Sequence, residues 1–236
     1  MRKSILIMGM TALAVAAASA GGSAARGALQ ASDMAGLGSN PGRPVGTPLV
    51  LPNGARITVV EGFLGNDCKG PEVGAGDEEL CVAVCREKRE QGDDGKPESM
   101  SLPGGTIFIV RPPAGAVAEH QNVMLVQDVT VVAPVCKLGD PRDGPQPPPF
   151  PPTPDGAWSL VRTMCLNQQR RPPDEESDYE LGLLTGNAQL KRIVDIIRGK
   201  SLDNDDAVDV VQDAIWDVTE GRGGLNRENL AQLEAL

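Results

Sequence analysis

The alternation of apolar and polar positions splits the chain into a β-patterned part and a helical part. Between residues 47 and 135, apolar residues come in short runs separated by turn residues, the pattern of a half-buried antiparallel sheet. Residues 49–51 and 57–60 are strand candidates on either side of the turn Pro52-Asn53-Gly54. Residues 80–84 form a third. Residues 106–110 begin after Gly104-Gly105 and stop before Pro112-Pro113. Residues 123–132 are the longest β-branched run and are expected as one strand. Residues 65–76 and 87–99 read as loops. Residues 139–156 hold eight prolines and are expected as an irregular surface excursion. Strand character returns at 157–166 and ends at Arg171-Pro172-Pro173, and residues 174–178 are expected as a solvated acidic loop.

From about residue 183 the apolar period changes from two to 3.6. Leu190, Ile193, Val194 and Ile197 are spaced i, i+3, i+4, i+7, with Asn187 as cap and Gly199 as stop. A second helix starts within Asp203-Asn204-Asp205-Asp206, whose acids suit the positive end of the helix dipole, and ends before Gly221. A third, short helix has Asn226 as cap, flanked by Leu225 and Leu230 as a hydrophobic staple. The fold class expected is α+β: a mainly antiparallel β sandwich or barrel with two to three C-terminal helices packed on it. One β-rich domain would span 47–236, with a helical subdomain at about 183–236.

Composition narrows the chemistry. Three Phe, two Trp and one Tyr leave the core to aliphatic side chains. A formal net charge of −10 without a Lys/Arg cluster argues against nucleic acid and anionic membrane surfaces as partners. One His among 236 residues excludes most zinc sites built on His, and neither a metal nor a cofactor is expected. The N-terminus has Arg2 and Lys3, then an apolar run over 5–18 and the small-residue site Ala18-Ser19-Ala20. This pattern predicts a signal peptide over 1–20 and a secreted or cell-surface product. Residues 21–46, rich in Gly, Ala, Ser and Pro, are expected as a flexible linker. No later apolar stretch is long enough for a membrane span.

Export gives the five cysteines a meaning. An oxidising compartment favours pairing, and five is odd. Cys68, Cys81, Cys85 and Cys136 are candidates for two disulfides of open connectivity, which would leave Cys165. Cys165 also ends the last predicted strand and shares one face with Ser159, Val161 and Thr163. It could equally be a small buried hydrophobe or pair with one of the other four.

Gln212 breaks the apolar stripe of the second helix, Val208, Val211, Ile215 and Trp216, so its amide is expected to point inward. A buried amide without hydrogen bonds costs about 1–3 kcal/mol, so something must satisfy or consume it. One outcome is a core glutamine bonded to main chain where the helix meets the sheet.

The segment Met164-Cys165-Leu166-Asn167, followed by Val211-Gln212-Asp213-Ala214-Ile215-Trp216, resembles the paired signature of bacterial surface thioester domains. Met164 stands where an aromatic or Leu is usual, and Val211 where Thr or Gln is common. The resemblance covers about residues 100–220. It implies an internal thioester with Cys165 as thiol and Gln212 as acyl donor. Ile215 and Trp216 would shield it, and Asn167 is a supporting candidate. The function implied is adhesion-like: single-turnover capture of an amine, such as a Lys on a partner's surface or a polyamine, rather than enzymatic turnover. Thiolate is the better leaving group than an amide anion, which makes the bond open to amines.

Two other classes compete with it. One is a secreted structural or protein-interaction module without a thioester, in which Gln212 is a hydrogen-bonded core residue. The other is a cysteine hydrolase with His120 as base to Cys165, against which a solvated His120 is the simpler expectation. Asp203, Asp205 and Asp206 lack the Gly and distal Glu of a calcium loop and are better explained as helix capping.

Overall fold

The computed structural model describes residues 34–236 except 63–67, 69, 88, 90–93, 113–117, 137–157 and 175–176. The expected signal peptide, the first part of the expected linker and the expected proline-rich excursion lie outside the described residues. Among the described residues ten strands run as β1 (Gly46–Pro48), β2 (Arg56–Gly62), β3 (Glu72–Gly74), β4 (Glu78–Cys85), β5 (Glu98–Leu102), β6 (Thr106–Val110), β7 (Val123–Met124), β8 (Val129–Ala133), β9 (Trp158–Cys165) and β10 (Tyr179–Thr185). Three helices follow: α1 (Ala188–Ile197), α2 (Asp205–Thr219) and α3 (Arg227–Ala235).

The main sheet has the order β1-β10-β6-β7-β9-β4-β2 and is antiparallel throughout this path, and β3 joins β9 in parallel. It curls into a half-barrel. β5 and β8 form a separate antiparallel pair. The expected α+β class, mainly antiparallel with C-terminal helices, is the observed one.

Alternation explains why β6 is apolar at successive positions. Ile107 and Ile109 face a core shared with all three helices, whereas Phe108 and Val110 face a second core shared with Met100, Leu102, Val129 and Val131 of β5 and β8. β9 divides likewise: Met164 joins the helix-side core and Val161 the other. The sheet is therefore buried on both faces, as a continuous apolar run requires.

The helix ends follow their caps. The Asn187 side chain accepts from the Gln189 and Leu190 amides, Asn204 from the Ala207 amide, and Asn226 closes a capping box with Asn229. Gly199, at φ +78°, follows α1 in the left-handed region.

Several expectations are corrected. The run 123–132 is two strands in two sheets: the chain leaves the main sheet after Met124 and enters the β5–β8 pair at Val129. The corner is held by Gly105 N–H to Leu125 O at 2.6 Å and Gly104 N–H to Asp128 Oδ1 at 2.7 Å. The first strand is Gly46–Pro48 rather than 49–51, and Pro52–Gly54 is one 3-10 turn. β3 and β5 fall in or at the edge of the stretches read as loops, and β10 was not expected at all. The stretch 174–178 is not simply solvated: Ser177 is buried, donates to Asp174 Oδ1 at 2.6 Å and accepts from the Gly62 amide at 3.0 Å.

The flexible-linker expectation for 21–46 does not hold from Met34 onward. Leu37 is 1% exposed in the helix-side core, and the Gly38 amide donates to Leu166 O at 2.8 Å. Gly38, at φ +56°, sits where a Cβ would lie 2.1 Å from Thr219 O, so glycine is required there.

Candidate functional site

β9, an interior strand of the main sheet, carries Cys165 buried at its end, and its two edges have different partners. The Leu166 amide donates to Asn122 O at 2.9 Å, on the β7 side. By the alternation of a strand, the amide and carbonyl of Cys165 then point to the β4 side. There β4 starts only at Glu78, which pairs with Thr163. Continuing that register would place Gly76 opposite Cys165, but no ladder forms there. The Gln212 side chain fills the gap. Cys165 N–H donates to Gln212 Oε1 at 2.8 Å, and Gln212 Nε2 donates to Cys165 O at 3.0 Å.

α2 delivers this amide because its apolar positions fix the helix's rotation. Val208, Val211, Ala214, Ile215 and Val218 are buried in the helix-side core, and Gln212, 3% exposed, lies within the same stripe. The inward amide expected from the sequence is observed. Its hydrogen bonds go to the main chain of Cys165, 47 residues earlier, whereas the resemblance implies a bond to the sulfur.

The Cys165 thiol is buried and outside any disulfide. Cys68 pairs with Cys81, at a Cα separation of 5.7 Å, and Cys85 with Cys136, at 5.0 Å. Met164 and Leu166 face the helices, and Val123, which pairs with Cys165, faces the other core. The sulfur thus leaves β9 on the face away from α2, while the Gln212 amide lies at the strand edge. On that face Sγ donates to Glu78 Oε1 at 3.0 Å. Burial, then the Glu78 charge, then this bond hold the thiol pKa far above its ordinary value. Burial also raises the Glu78 carboxyl; the thiol's hydrogen bond opposes the shift, and Asp77 and Glu79 add to it.

Asn167 is wholly buried and ties the strand end to the N-terminal segment. Its Oδ1 accepts from the Asn122 amide at 2.8 Å, and its Nδ2 donates to Gly36 O at 3.1 Å and Gly38 O at 2.7 Å. Asn122 reaches the same Gly36 carbonyl at 2.9 Å. Ile215 is wholly buried among the helix-side core residues. Trp216, one turn beyond Gln212, is half-buried, with its indole N–H enclosed and unbonded among the described residues.

His120 is not beside the thiol. Its Nδ1 lies 3.0 Å from Pro172 O and its Nε2 3.7 Å from Asp174 Oδ1, and its side chain is only 15% exposed, so it is neither a base to Cys165 nor solvated. Asp205 and Asp206 lie in the first turn of α2, capped by Asn204, and Asp203 accepts from Ser201 Oγ. Among the described residues no group of His, Cys, Asp or Glu is placed to hold a metal. A surface cleft of about 490 Å³ opens at the C-terminal end of α2, lined by Asn40, Gln189, Thr219 and Glu220, away from the Cys165–Gln212 pair.

Glu78 escaped the sequence reading. It opens a strand among other acids, and its partner is 87 residues away, so no local pattern marks it. Comparison of the chain with protein-family models, with curated proteins and with solved structures gives no match.

Proposed function

We propose that Cys165 and Gln212 form an internal thioester through which the exported protein captures an amine once per molecule. The observation that carries this reading is the contact of the Gln212 carboxamide with Cys165, the cysteine left over once the other four are paired. The signature around these residues supports it, as does a buried setting that would slow hydrolysis. In this reading the buried Ile215 and the half-buried Trp216, three and four residues after Gln212 on α2, serve as apolar cover. Bond formation joins Sγ to the Gln212 side-chain carbon and releases ammonia. An amine then attacks that carbon, the Cys165 thiol leaves, and an amide links the amine to Gln212. Two disulfides and the N-terminal pattern support a secreted or surface location. Among the described residues no helix is long and apolar enough to cross a membrane.

A second reading draws on the same contact. Both ends of the Gln212 amide are hydrogen-bonded, and the sulfur leaves the strand on the face away from α2. This favours a structural role, with Gln212 replacing a missing strand partner in an exported interaction module.

Intact mass of the oxidised protein, before and after methylamine, separates the two. A mass short by one ammonia, then a methylamine adduct on Gln212 with a new thiol at Cys165, is the result expected of the thioester. Full mass, an unmodified Gln212 and a Cys165 thiol that alkylates on unfolding would overturn it and leave the module.

A further inference from the structure

We infer that Glu78 is the acid–base group of the Cys165–Gln212 pair, taking the proton from the Cys165 thiol and delivering it to the departing nitrogen. This inference rests on the thioester reading. Glu78 Oε1 is 3.0 Å from Sγ, within reach for direct proton transfer. The Cys165 amide already donates to Gln212 Oε1 at 2.8 Å, which places a hydrogen-bond donor on the oxygen that gains charge as the carbonyl is attacked.

The step balances without a redox partner. Glu78 carboxylate accepts the thiol proton, and the sulfur lone pair forms the S–C bond at the Gln212 side-chain carbon. The intermediate carries negative charge on Oε1. Its collapse breaks the bond from that carbon to Nε2, which takes the proton from Glu78 and leaves as ammonia. Capture runs in the opposite sense. Glu78 accepts a proton from the attacking amine and returns it to the sulfur as the S–C bond breaks.

The surroundings suit a group that must hold and release a proton. Glu78 is half-buried, with Asp77 just before its strand and Glu79 on it, Cys165 and Arg162 on β9, and Tyr179 on β10 in its electrostatic neighbourhood. From α2, Asp205 and Asp209 act on Asp77. Among these groups the carboxylates outnumber the one Arg, which favours a carboxyl that keeps its proton to higher pH than a solvated one.

The test compares the full-length oxidised protein with Glu78→Gln and Glu78→Asp. The readouts are intact mass, the rate of methylamine capture against pH, and thermal unfolding to confirm the fold. With Glu78→Gln we expect either full mass or capture slowed about 100-fold or more, the usual range for loss of a general acid–base group. With Glu78→Asp we expect an intermediate rate and a displaced pH profile. A folded Glu78→Gln protein that forms and spends its thioester at the wild-type rate would overturn the role of Glu78 and leave the thioester standing. If Glu78→Gln does not fold, a Glu78→Asp pH profile identical to the wild type overturns the role instead. Full mass in the wild type itself would overturn the thioester, and the role of Glu78 with it.

Discussion

Gln212 pairs with the main chain of Cys165 from a helix, in the position a neighbouring strand would occupy. Its Oε1 and Nε2 reproduce the acceptor and donor of a ladder residue at 2.8 and 3.0 Å. A side chain thus completes the sheet where β4 has not yet begun, and it does so beside a free thiol.

Removing that amide has a cost separable from any covalent chemistry. Gln212→Ala leaves a buried N–H and a buried C=O of Cys165 without partners. Each such group costs about 1–3 kcal/mol, so a loss of about 2–4 kcal/mol is expected in urea or guanidinium unfolding. A loss below about 0.5 kcal/mol would show that water or a shifted chain replaces Gln212.

Asn167 makes three hydrogen bonds, two of which fasten the segment at the Gly36 and Gly38 carbonyls while the third takes the Asn122 amide. Asn167→Ala is expected to lower stability by about 2–3 kcal/mol. It should also speed proteolytic cutting between residues 34 and 46. Gly38→Ala should do the same, because its Cβ would meet Thr219 O at 2.1 Å. An unchanged cleavage rate in both variants would argue against this fastening.

The raised carboxyls set the direction of the pH dependence. Glu78 is raised chiefly by burial, and so is Asp77, with further contributions from Asp209 and Asp205. A carboxyl with a raised folded pKa binds its proton more tightly when folded. Its stabilising contribution is full below the ordinary carboxylate range and is lost as pH rises through the folded value. Stability should therefore fall across mildly acidic pH, and Glu78→Gln should flatten that fall. Unfolding midpoints measured from about pH 4 to pH 8 check this, and an equally steep fall in Glu78→Gln would contradict it.

The two disulfides close loops of unequal length, with sequence separations of 13 and 51. Chain entropy makes the longer cross-link the more stabilising, by about 1 kcal/mol. Replacing Cys85 and Cys136 by Ala should therefore destabilise more than replacing Cys68 and Cys81. Denaturant unfolding of the two double variants in the reverse order would contradict this.

What the sequence discloses depends on how local the signal is. The three helices were legible because apolar period, Asn caps and Gly199 all act within a few residues. Gln212 was legible for the same reason, since a polar side chain inside an apolar stripe has to be answered. β10 was not: Gly182 and the partly buried Glu180, Leu181, Leu183 and Leu184 blur its alternation, and its identity rests on pairing with β6. The split of 123–132 was marked only by Gln127-Asp128, which the β-branched residues around them outweighed. The packing of 34–46 could not be read from composition. Met34 and Leu37 pack on the helix-side core, Asn187 donates to Met34 Sδ, and Asn122 and Asn167 hold the Gly36 and Gly38 carbonyls, all from far along the chain.

The buried N-terminal segment also fixes how far the chain can be trimmed. Asn122 and Asn167 share the Gly36 carbonyl, and Leu166 O takes the Gly38 amide, one residue after Cys165. A peptidase that stops before Met34 would remove nothing these groups use. One that cuts past Gly38 would strip three asparagine bonds and one strand carbonyl from the end of β9 in a single event. Trimming from the N-terminus therefore meets a boundary only a few residues wide, and crossing it would loosen the strand that carries the thiol.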